Sequence, residues 1–115
     1  MKIEGPAKLI EVYIGESDQW HARPLYMAIT ERLKEAGIAG VTVIRGVMGY
    51  GAHSRIHTAH LLRLSEDLPV VIKIVDQPDR AQTALAILDE MVSEGLITVT
   101  DTHVVKYTAG AGARG

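Results

Sequence analysis

The sequence predicts an α+β domain of ferredoxin-like (βαββαβ) topology, in which two helices cover one face of an antiparallel sheet. In each half of the chain a strand is followed by a helix that begins at a proline, a glycine that ends the helix, and a further strand. The hydrophobic residues, 47% of the total, are mainly aliphatic, with no Phe and one Trp, which is typical of strands packed on helices. At 115 residues the chain has the usual size of one domain, predicted to span residues 1–107.

The first half of the chain shows both periodicities. Ala7–Gly15 alternates apolar and polar residues, which predicts a strand. Pro24 suits the first turn of a helix, and apolar residues follow it at helical spacing as far as Gly37, which is expected to end the helix in a left-handed conformation. The β-branched run Val41–Met48 predicts the second strand.

The second half repeats this order. The nearly continuous aliphatic run Leu68–Asp76 predicts a buried third strand, and Pro78 marks the start of a second helix that ends at Gly95. Leu96–Tyr107 predicts the fourth strand, although its broken alternation indicates a bulge or two short strands. The glycine-rich and alanine-rich residues Thr108–Gly115 are expected to form a flexible tail.

Composition excludes several classes of function. A formal net charge of −2 provides no basic field for nucleic acid. Because the chain has no cysteine, it has no disulfides, thiolate metal sites or thiol nucleophiles. No apolar run approaches the roughly 20 residues of a membrane span, and Met1–Lys8 lacks the apolar stretch of a signal peptide. We therefore expect a cytoplasmic protein.

A glycine cluster opens the one unusually long connection of the chain. Connections in small domains usually have about 4–6 residues, whereas this one runs from Gly49 to about residue 67 and lacks a clear period. Gly46, Gly49 and Gly51 would allow backbone N–H groups to approach a phosphate, with Arg45 just before them and Tyr50 placed to stack on a base. The alternative is a flexible hinge at the base of the loop.

Histidines and arginines follow within the same loop. His53, His57 and His60 have a spacing that metal ligands show on a helix, but a solvated polar loop explains them more simply, so no metal ion is expected. Arg55 and Arg63 flank the histidines and supply positive charge. This loop is therefore predicted to dock an acidic partner or to meet phosphate.

Three residues outside the loop are further candidates. His103 and Lys106, near the end of the last strand, either complete a phosphate site between subunits or act as edge charges that prevent aggregation. Trp20 either packs at the start of the first helix or in a subunit contact, or stacks on a ligand.

No catalytic set is apparent in the sequence. The spacing of the acidic residues Glu16, Asp18, Glu66 and Asp67 does not bring a general acid and a general base together. The serines and histidines likewise form no arrangement of nucleophile, base and orienting group. The protein is therefore predicted not to be an enzyme; the alternatives are a metal-binding protein that uses the loop histidines and a small enzyme at the cleft formed by Arg45–Gly51 and the last strand.

Three segments resemble a known family: Gly46–Gly51 (GVMGYG), Ile14–Tyr26 (IGESDQWHARPLY) and Ile56–Asp76 (IHTAHLLRLSEDLPVVIKIVD). They are similar to the domain-of-unknown-function family one-ninety, an uncharacterised branch of the PII-like signalling proteins. The resemblance runs from Lys8 to about Tyr107, and its most specific part is SEDLPVV, Ser65–Val71.

The resemblance implies a homotrimer that binds adenine nucleotides between subunits and reaches a partner, often a membrane transporter or channel, with its long loop. The chain departs from ordinary PII proteins in two places. It has only Ser93–Leu96 where they carry a glycine-rich phosphate loop, and only His103 and Lys106 where they carry a pair of arginines. We therefore expect AMP or ADP as ligand, bound by Arg45–Gly51 and the last strand, and no obligatory cofactor.

Overall fold

The computed structural model describes residues 2–51 and 67–109, and their elements follow the predicted order. The strands are β1 (Lys2–Gly15), β2 (Gln19–Trp20), β3 (Arg23–Pro24), β4 (Val41–Arg45), β5 (Pro69–Asp76) and β6 (Leu96–Thr108). The helices are α1 (Leu25–Glu35) and α2 (Pro78–Met91). Apart from the small β2–β3 hairpin, this is the ferredoxin-like order, so the predicted fold class is confirmed.

The main sheet has the strand order β4-β5-β1-β6, and all its neighbouring strands are antiparallel. Val12 at the centre of β1 pairs with Ile72 of β5 on one side and Ile97 of β6 on the other. Because paired residues place their side chains on the same face, this register fixes which residues meet the helices. β4 and β6 form the two edges of the sheet.

Both helices pack on the same face of the sheet and bury an aliphatic core. The least exposed residues come from the two central strands and the two helices. They are Ile10 and Val12 of β1, Ile72 and Ile74 of β5, Ile29 and Leu33 of α1, and Ala84 and Leu88 of α2. Burial of one such Ile, Leu or Val side chain contributes about 1.5–3 kcal/mol. The opposite face carries Leu9, Tyr13, Ile44, Val71 and Val75, and we call it the open face.

Asp76 joins three parts of this core. It ends β5, is 1% exposed, and stands two residues before Pro78, the predicted and observed first residue of α2. Its carboxylate accepts hydrogen bonds from the backbone N–H of Gln77 (2.7 Å) and of Ala39, which precedes β4 (2.8 Å). The guanidinium of Arg80 lies 3.5 Å from the same carboxylate. One buried charge thereby positions a strand end, a helix start and the approach to the edge strand.

The element boundaries differ from the prediction at several points. β1 begins at Lys2, before the predicted start at Ala7, because its first residues pair with the end of β6. β4 ends at Arg45, before the predicted end at Met48. β6 is one continuous strand, and the predicted bulge lies near its end, where β1 advances two residues (Ile3 to Gly5) while β6 advances three. The predicted tail lies outside the described residues beyond position 109.

The β2–β3 hairpin was not predicted. Trp20 pairs with Arg23, and the two residues between them, His21 and Ala22, have φ angles of 50° and 65°. A two-residue turn of this kind requires positive φ at both positions, for which Gly and Asn are the usual residues. The indole of Trp20 meets the His21 ring edge-on, with 4.6 Å between centroids, so packing at the hairpin compensates for the missing turn residues.

Replacing Ala22 by glycine is expected to stabilise the protein by about 0.5–1 kcal/mol, because glycine adopts a φ of 65° without the clash of Cβ. The free energy of unfolding, measured in urea, reports the gain. Ala86→Gly on the exposed side of α2 is the matched control and should cost about 1 kcal/mol. If both substitutions destabilise equally, Ala22 does not have a left-handed backbone in solution.

Candidate functional site

The end of the sheet where β4 stops and β6 starts forms a cavity of about 520 Å³, which we call the glycine cavity. Its walls come from the segment after β4, from the start of β6, and from the ends of β1 and β5. The lining includes Gly46, Met48, Gly49, Tyr50 and Gly51, together with Tyr13, Asp67, Pro69, Val71, Gly95 and Leu96. Four of the seven predicted ligand residues, namely Gly46, Gly49, Tyr50 and Gly51, are thus brought together in one place.

Two glycines allow the chain segments at this cavity to approach closely. The N–H of Gly46 donates to the carbonyl of Pro69 at 2.7 Å, and a Cβ at this position would lie 2.8 Å from Cγ of Pro69. A Cβ at Gly95 would lie 2.7 Å from the carbonyl oxygen of Tyr13. Any larger residue would push these segments apart, so the shape of the cavity depends on glycine at both positions.

The remaining lining suits a flat, largely apolar group. Tyr50 and Met48 are 77% and 68% exposed, and Leu96 and Tyr13 extend the apolar surface along the open face. Among the described residues that line the cavity, Asp67 is the one with a charged side chain. Aromatic and aliphatic walls with few polar groups are typical of sites for nucleobases and similar rings.

The turn that follows β1 connects both ends of the long loop. Glu16 forms an ion pair with Arg45 at the start of the loop, with 2.5 Å between Nη2 and Oε2. At the other end of the loop, the N–H of Glu16 donates to the carbonyl of Leu68 (2.8 Å), and the N–H of Ser17 donates to the carboxylate of Asp67 (3.1 Å). This turn therefore holds the entry and the exit of the loop together.

Arg45 does not line the glycine cavity. It pairs with Val70, whose side chain is buried under the helices, so Arg45 lies on the helix side of the sheet, whereas the cavity opens along the other side. The guanidinium is engaged by Glu16. Arg45, which was predicted to meet a phosphate, therefore lies on the opposite side of the sheet from the glycines that line the cavity of the same chain.

A second cavity, of about 550 Å³, lies at the opposite end of the open face, and we call it the lysine cavity. Its polar groups are Lys73, Lys106, Thr42 and Tyr107. The lining is completed by Ile3, Leu9, Ala39, Gly40, Val41, Val75 and Val104. The phenol of Tyr107 donates to the carbonyl of Ala39 at 3.0 Å, and this bond holds the end of β6 near the start of β4.

The two predicted residues of the last strand are therefore remote from the glycine cluster of the same chain. Lys106 belongs to the lysine cavity, and His103, which pairs with Pro6 of β1, lines neither cavity. Lys73 was not predicted as a site residue. Its ammonium lies 3.5 Å from the carboxylate of Glu11, directly across the strand pair.

The open face has apolar side chains at both cavities and the Glu11–Lys73 pair at its centre. Tyr13, Ile44, Val75 and Leu96 are between 37% and 54% exposed, and neither helix packs on this side. Surface of this kind is energetically unfavourable in water and usually marks a contact with another protein.

Several sequence-based candidates lie outside the described residues or have structural roles. The predicted docking residues His53, Arg55, His57, His60 and Arg63 fall within residues 52–66, which the structure does not describe. Elsewhere in the chain, over residues 2–51 and 67–109, no group of three His, Asp or Glu side chains could hold a metal ion.

Three of the acidic candidates act as structural acceptors or pair partners. Glu16 pairs with Arg45, Asp18 accepts a hydrogen bond from the N–H of Gly15 at 3.0 Å, and Asp67 accepts one from Ser17. These three carboxylates therefore have structural roles in the turn after β1 and at the ends of the long loop. Trp20 lies in the β2–β3 hairpin against α1, as predicted for a residue that packs at the start of the helix.

Comparison with solved structures shows which known fold this chain shares. CPII from Thiomonas intermedia K12, solved with ADP, AMP and acetate, matches 86% of this chain and 88% of its own with a TM-score of 0.61 and 19% identity. The GlnK–ATP complex of B. subtilis matches 87% of this chain and 84% of its own, with a TM-score of 0.54 and 16% identity. This chain therefore has the fold of the PII-like signalling proteins.

The particular family follows from the sequence. Residues 7–104 match the model of the DUF190 family, described as Uncharacterized ACR, and the chain belongs to this family. UPF0166 protein MJ1524 of Methanocaldococcus jannaschii is 38% identical to it over 101 residues, 87% of this chain and 93% of that protein. Within the described ranges, no helix is long and apolar enough to cross a membrane.

Proposed function

We propose that this protein is a PII-like regulator, not an enzyme, that binds AMP or ADP in clefts between the subunits of a homotrimer. The observation that carries the proposal is the separation of the predicted ligand residues. The glycine cluster lies at one end of the open face, whereas His103 and Lys106 lie towards the other. A site that uses both sets takes the glycine cluster from one subunit and the last strand from its neighbour.

The open face supports assembly. Its half-exposed apolar residues line or adjoin the two cavities, so a sister subunit that covers this face also borders both cavities. Burying such surface contributes roughly 25 cal/mol per Å². The Glu11–Lys73 pair at its centre would fix the register of the contact, as buried polar pairs do in some assemblies.

The chemistry of the two cavities suits a nucleotide. Tyr50, Met48 and Leu96 offer apolar surface in the glycine cavity. Lys106 supplies positive charge on the complementary surface. Two structural neighbours whose names include ADP, AMP or ATP share this fold, which is consistent with an adenine nucleotide as ligand.

The proposal extends to regulation. The loop that begins at Tyr50 would dock a membrane transporter or channel through His53, Arg55, His57, His60 and Arg63, and nucleotide binding at its base would alter that docking. This part of the proposal is based on the sequence and on the family resemblance. A cytoplasmic location fits the absence of cysteine.

Calorimetric titration with AMP and ADP tests the ligand. Tyr50→Ala is expected to weaken binding by at least about tenfold through loss of base stacking. Lys106→Ala should weaken it by a similar factor through loss of a charged contact. Lys34→Ala is the control, because Lys34 lies in the last turn of α1, away from both cavities. Failure of the unmodified protein to bind any adenine nucleotide would end the proposal.

Mixed assemblies test whether the cleft is shared. When Tyr50→Ala and Lys106→Ala subunits are unfolded together and reassembled in equal amounts, about a quarter of the clefts in a cyclic trimer receive an intact residue from each side. The fraction of sites that bind with the affinity of the unmodified protein should therefore rise from none to about a quarter. If both residues act within one subunit, every site carries one defect, and mixing restores nothing.

A further inference from the structure

Asp67 is the residue from which we draw a further inference. It stands at the end of the long loop, and it lines the glycine cavity together with Tyr50 and Met48. The described lining of this cavity includes no Lys, Arg or His, so it contributes one carboxylate and no cation. Like charges repel at short range, and a carboxylate is therefore a poor neighbour for a phosphate. The presence of Asp67 restricts which part of a nucleotide can enter the cavity.

The turn after β1 holds Asp67 in a defined position. The N–H of Ser17 donates to Oδ1 of Asp67 at 3.1 Å, and the N–H of Glu16 donates to the carbonyl of the next residue, Leu68, at 2.8 Å. Pro69 then begins β5, which is paired with β1. A side chain that is held in place before the ligand arrives loses less conformational freedom on binding. The carboxylate of Asp67 is therefore a pre-positioned acceptor.

The glycine segment does not compensate for this negative charge with a donor at Gly46. Its N–H, which the sequence predicted to approach a phosphate, donates to the carbonyl of Pro69 at 2.7 Å. Phosphate oxygens accept hydrogen bonds, as ionised carboxylates do, so Asp67 and a phosphate would present acceptors to each other. In the proposed assembly the phosphate of the nucleotide therefore points out of the glycine cavity, towards Lys106 of the neighbouring subunit.

The base is the part of the nucleotide that suits this cavity. Tyr50 is 77% exposed and offers an aromatic face on which a base can stack. At the edge of adenine the exocyclic amine is the hydrogen-bond donor, and the ring nitrogens are acceptors. A carboxylate has about four acceptor sites on its two oxygens, so it can accept the N–H of Ser17 and further donors at the same time.

We propose that Asp67 determines which base is bound, because its carboxylate accepts a hydrogen bond from the exocyclic amine of adenine while Tyr50 stacks on the ring. This inference rests on the proposed function and names the residue that recognises the base. Hypoxanthine has a carbonyl in place of the amine, so it would direct an acceptor at the carboxylate. A site that hydrogen-bonds one group of its ligand rejects ligands without that group.

Calorimetric titration of the unmodified protein with three nucleotides is the first test. Purine riboside monophosphate differs from AMP only by the missing amine, and IMP carries the carbonyl in its place. AMP is expected to bind at least about tenfold more tightly than purine riboside monophosphate, the effect of one hydrogen bond to a charged group. IMP should bind no better than purine riboside monophosphate. Equal affinities for the three nucleotides would overturn the role of Asp67 without the use of any variant.

Removal of the carboxylate is the second test. Asp67→Ala is expected to weaken AMP by about tenfold and to bind AMP and purine riboside monophosphate within about twofold of each other. A structural role alone would weaken both ligands by the same factor and leave their ratio unchanged, which would overturn the proposal. Asp18→Ala is the matched control, because Asp18 is a carboxylate of the same turn that accepts the N–H of Gly15 at 3.0 Å and does not line the cavity. It should preserve the ratio.

The conservative variant Asp67→Asn tests the chemistry of recognition. Its amide keeps an acceptor oxygen for the N–H of Ser17 and adds a donor, which can bond to the carbonyl of hypoxanthine. The variant is therefore expected to bind IMP about tenfold more tightly than the unmodified protein does. An unchanged affinity for IMP would show that residue 67 does not face this edge of the base.

Failure of this inference is distinguishable from failure of the proposed function. If the unmodified protein binds AMP and purine riboside monophosphate equally well, the role of Asp67 is wrong and the nucleotide site stands. If the unmodified protein binds no adenine nucleotide, the proposed function is wrong, and the role of Asp67 is wrong with it.

Discussion

Replacement of Asp76 by alanine is expected to lower the free energy of unfolding by about 3–4 kcal/mol, the cost of breaking a buried charged network. The carboxylate is 1% exposed and accepts the N–H groups of Ala39 and Gln77. Without it, two partly buried N–H groups lose their acceptor, and Arg80 loses the carboxylate that lies 3.5 Å from its guanidinium. Urea denaturation at fixed protein concentration measures the loss, because assembly also contributes to apparent stability.

Two further variants separate the charge from the hydrogen bonds. Asp76→Asn keeps one acceptor oxygen and is expected to cost about 1–2 kcal/mol. Asp79→Ala removes an exposed carboxylate from the first turn of α2 and should cost about 0.5 kcal/mol through the helix dipole. If Asp76→Ala costs no more than Asp79→Ala, the buried network does not hold β5, α2 and the approach to β4 together.

The fold was predictable because local signals agree with one another. Pro24 and Pro78 mark helix starts, Gly37 follows α1 with a φ of 83°, and the aliphatic run of β5 reports a central strand. The β2–β3 hairpin was missed for a physical reason. Its turn uses His21 and Ala22 in conformations that sequence patterns assign to Gly and Asn, so the usual signal is absent.

The site was only partly predictable because strand register decides it. The glycines after β4 predict that backbone segments approach closely there, and these glycines do line the cavity. Whether Arg45 joins them depends on which face of β4 it occupies, and its pairing with Val70 places it with Glu16. Leu96 and Tyr13 line the cavity because β6 and β1 are paired in one particular register, which no local pattern encodes.

The lysine cavity illustrates the same limit. The sequence identified Lys106 as a candidate site residue. Lys73 was not identified, because it is one polar residue within a run that predicts a buried strand. The two share a cavity because the bulge near Gly5 and the Tyr107–Ala39 hydrogen bond bring the end of β6 to the start of β4. Long-range geometry of this kind follows from the twist of the whole sheet and cannot be derived from spacing.

Gly95 links the stability of the fold to the shape of the glycine cavity, and Gly95→Ala is expected to cost about 2–4 kcal/mol. Its φ of 154° is unfavourable for any other residue, and the added Cβ would lie 2.7 Å from the carbonyl oxygen of Tyr13 and 3.2 Å from side-chain carbons of Ile14 and Val92. To relieve these contacts, the start of β6 must move away from β1. Because Leu96 and Tyr13 line the cavity, the same variant should also bind nucleotide more weakly.

Urea denaturation and calorimetry on one preparation measure the two effects together. Gly40→Ala is the stability control, since a Cβ at Gly40 meets no atom within 4 Å, and its expected change is within about 0.5 kcal/mol. Lys34→Ala is the control for nucleotide binding, because Lys34 lies in the last turn of α1 and lines neither cavity. A Gly95→Ala protein as stable as Gly40→Ala would show that β1 and β6 do not approach as closely in solution, and the cavity would then lack the wall on which the proposed nucleotide site depends.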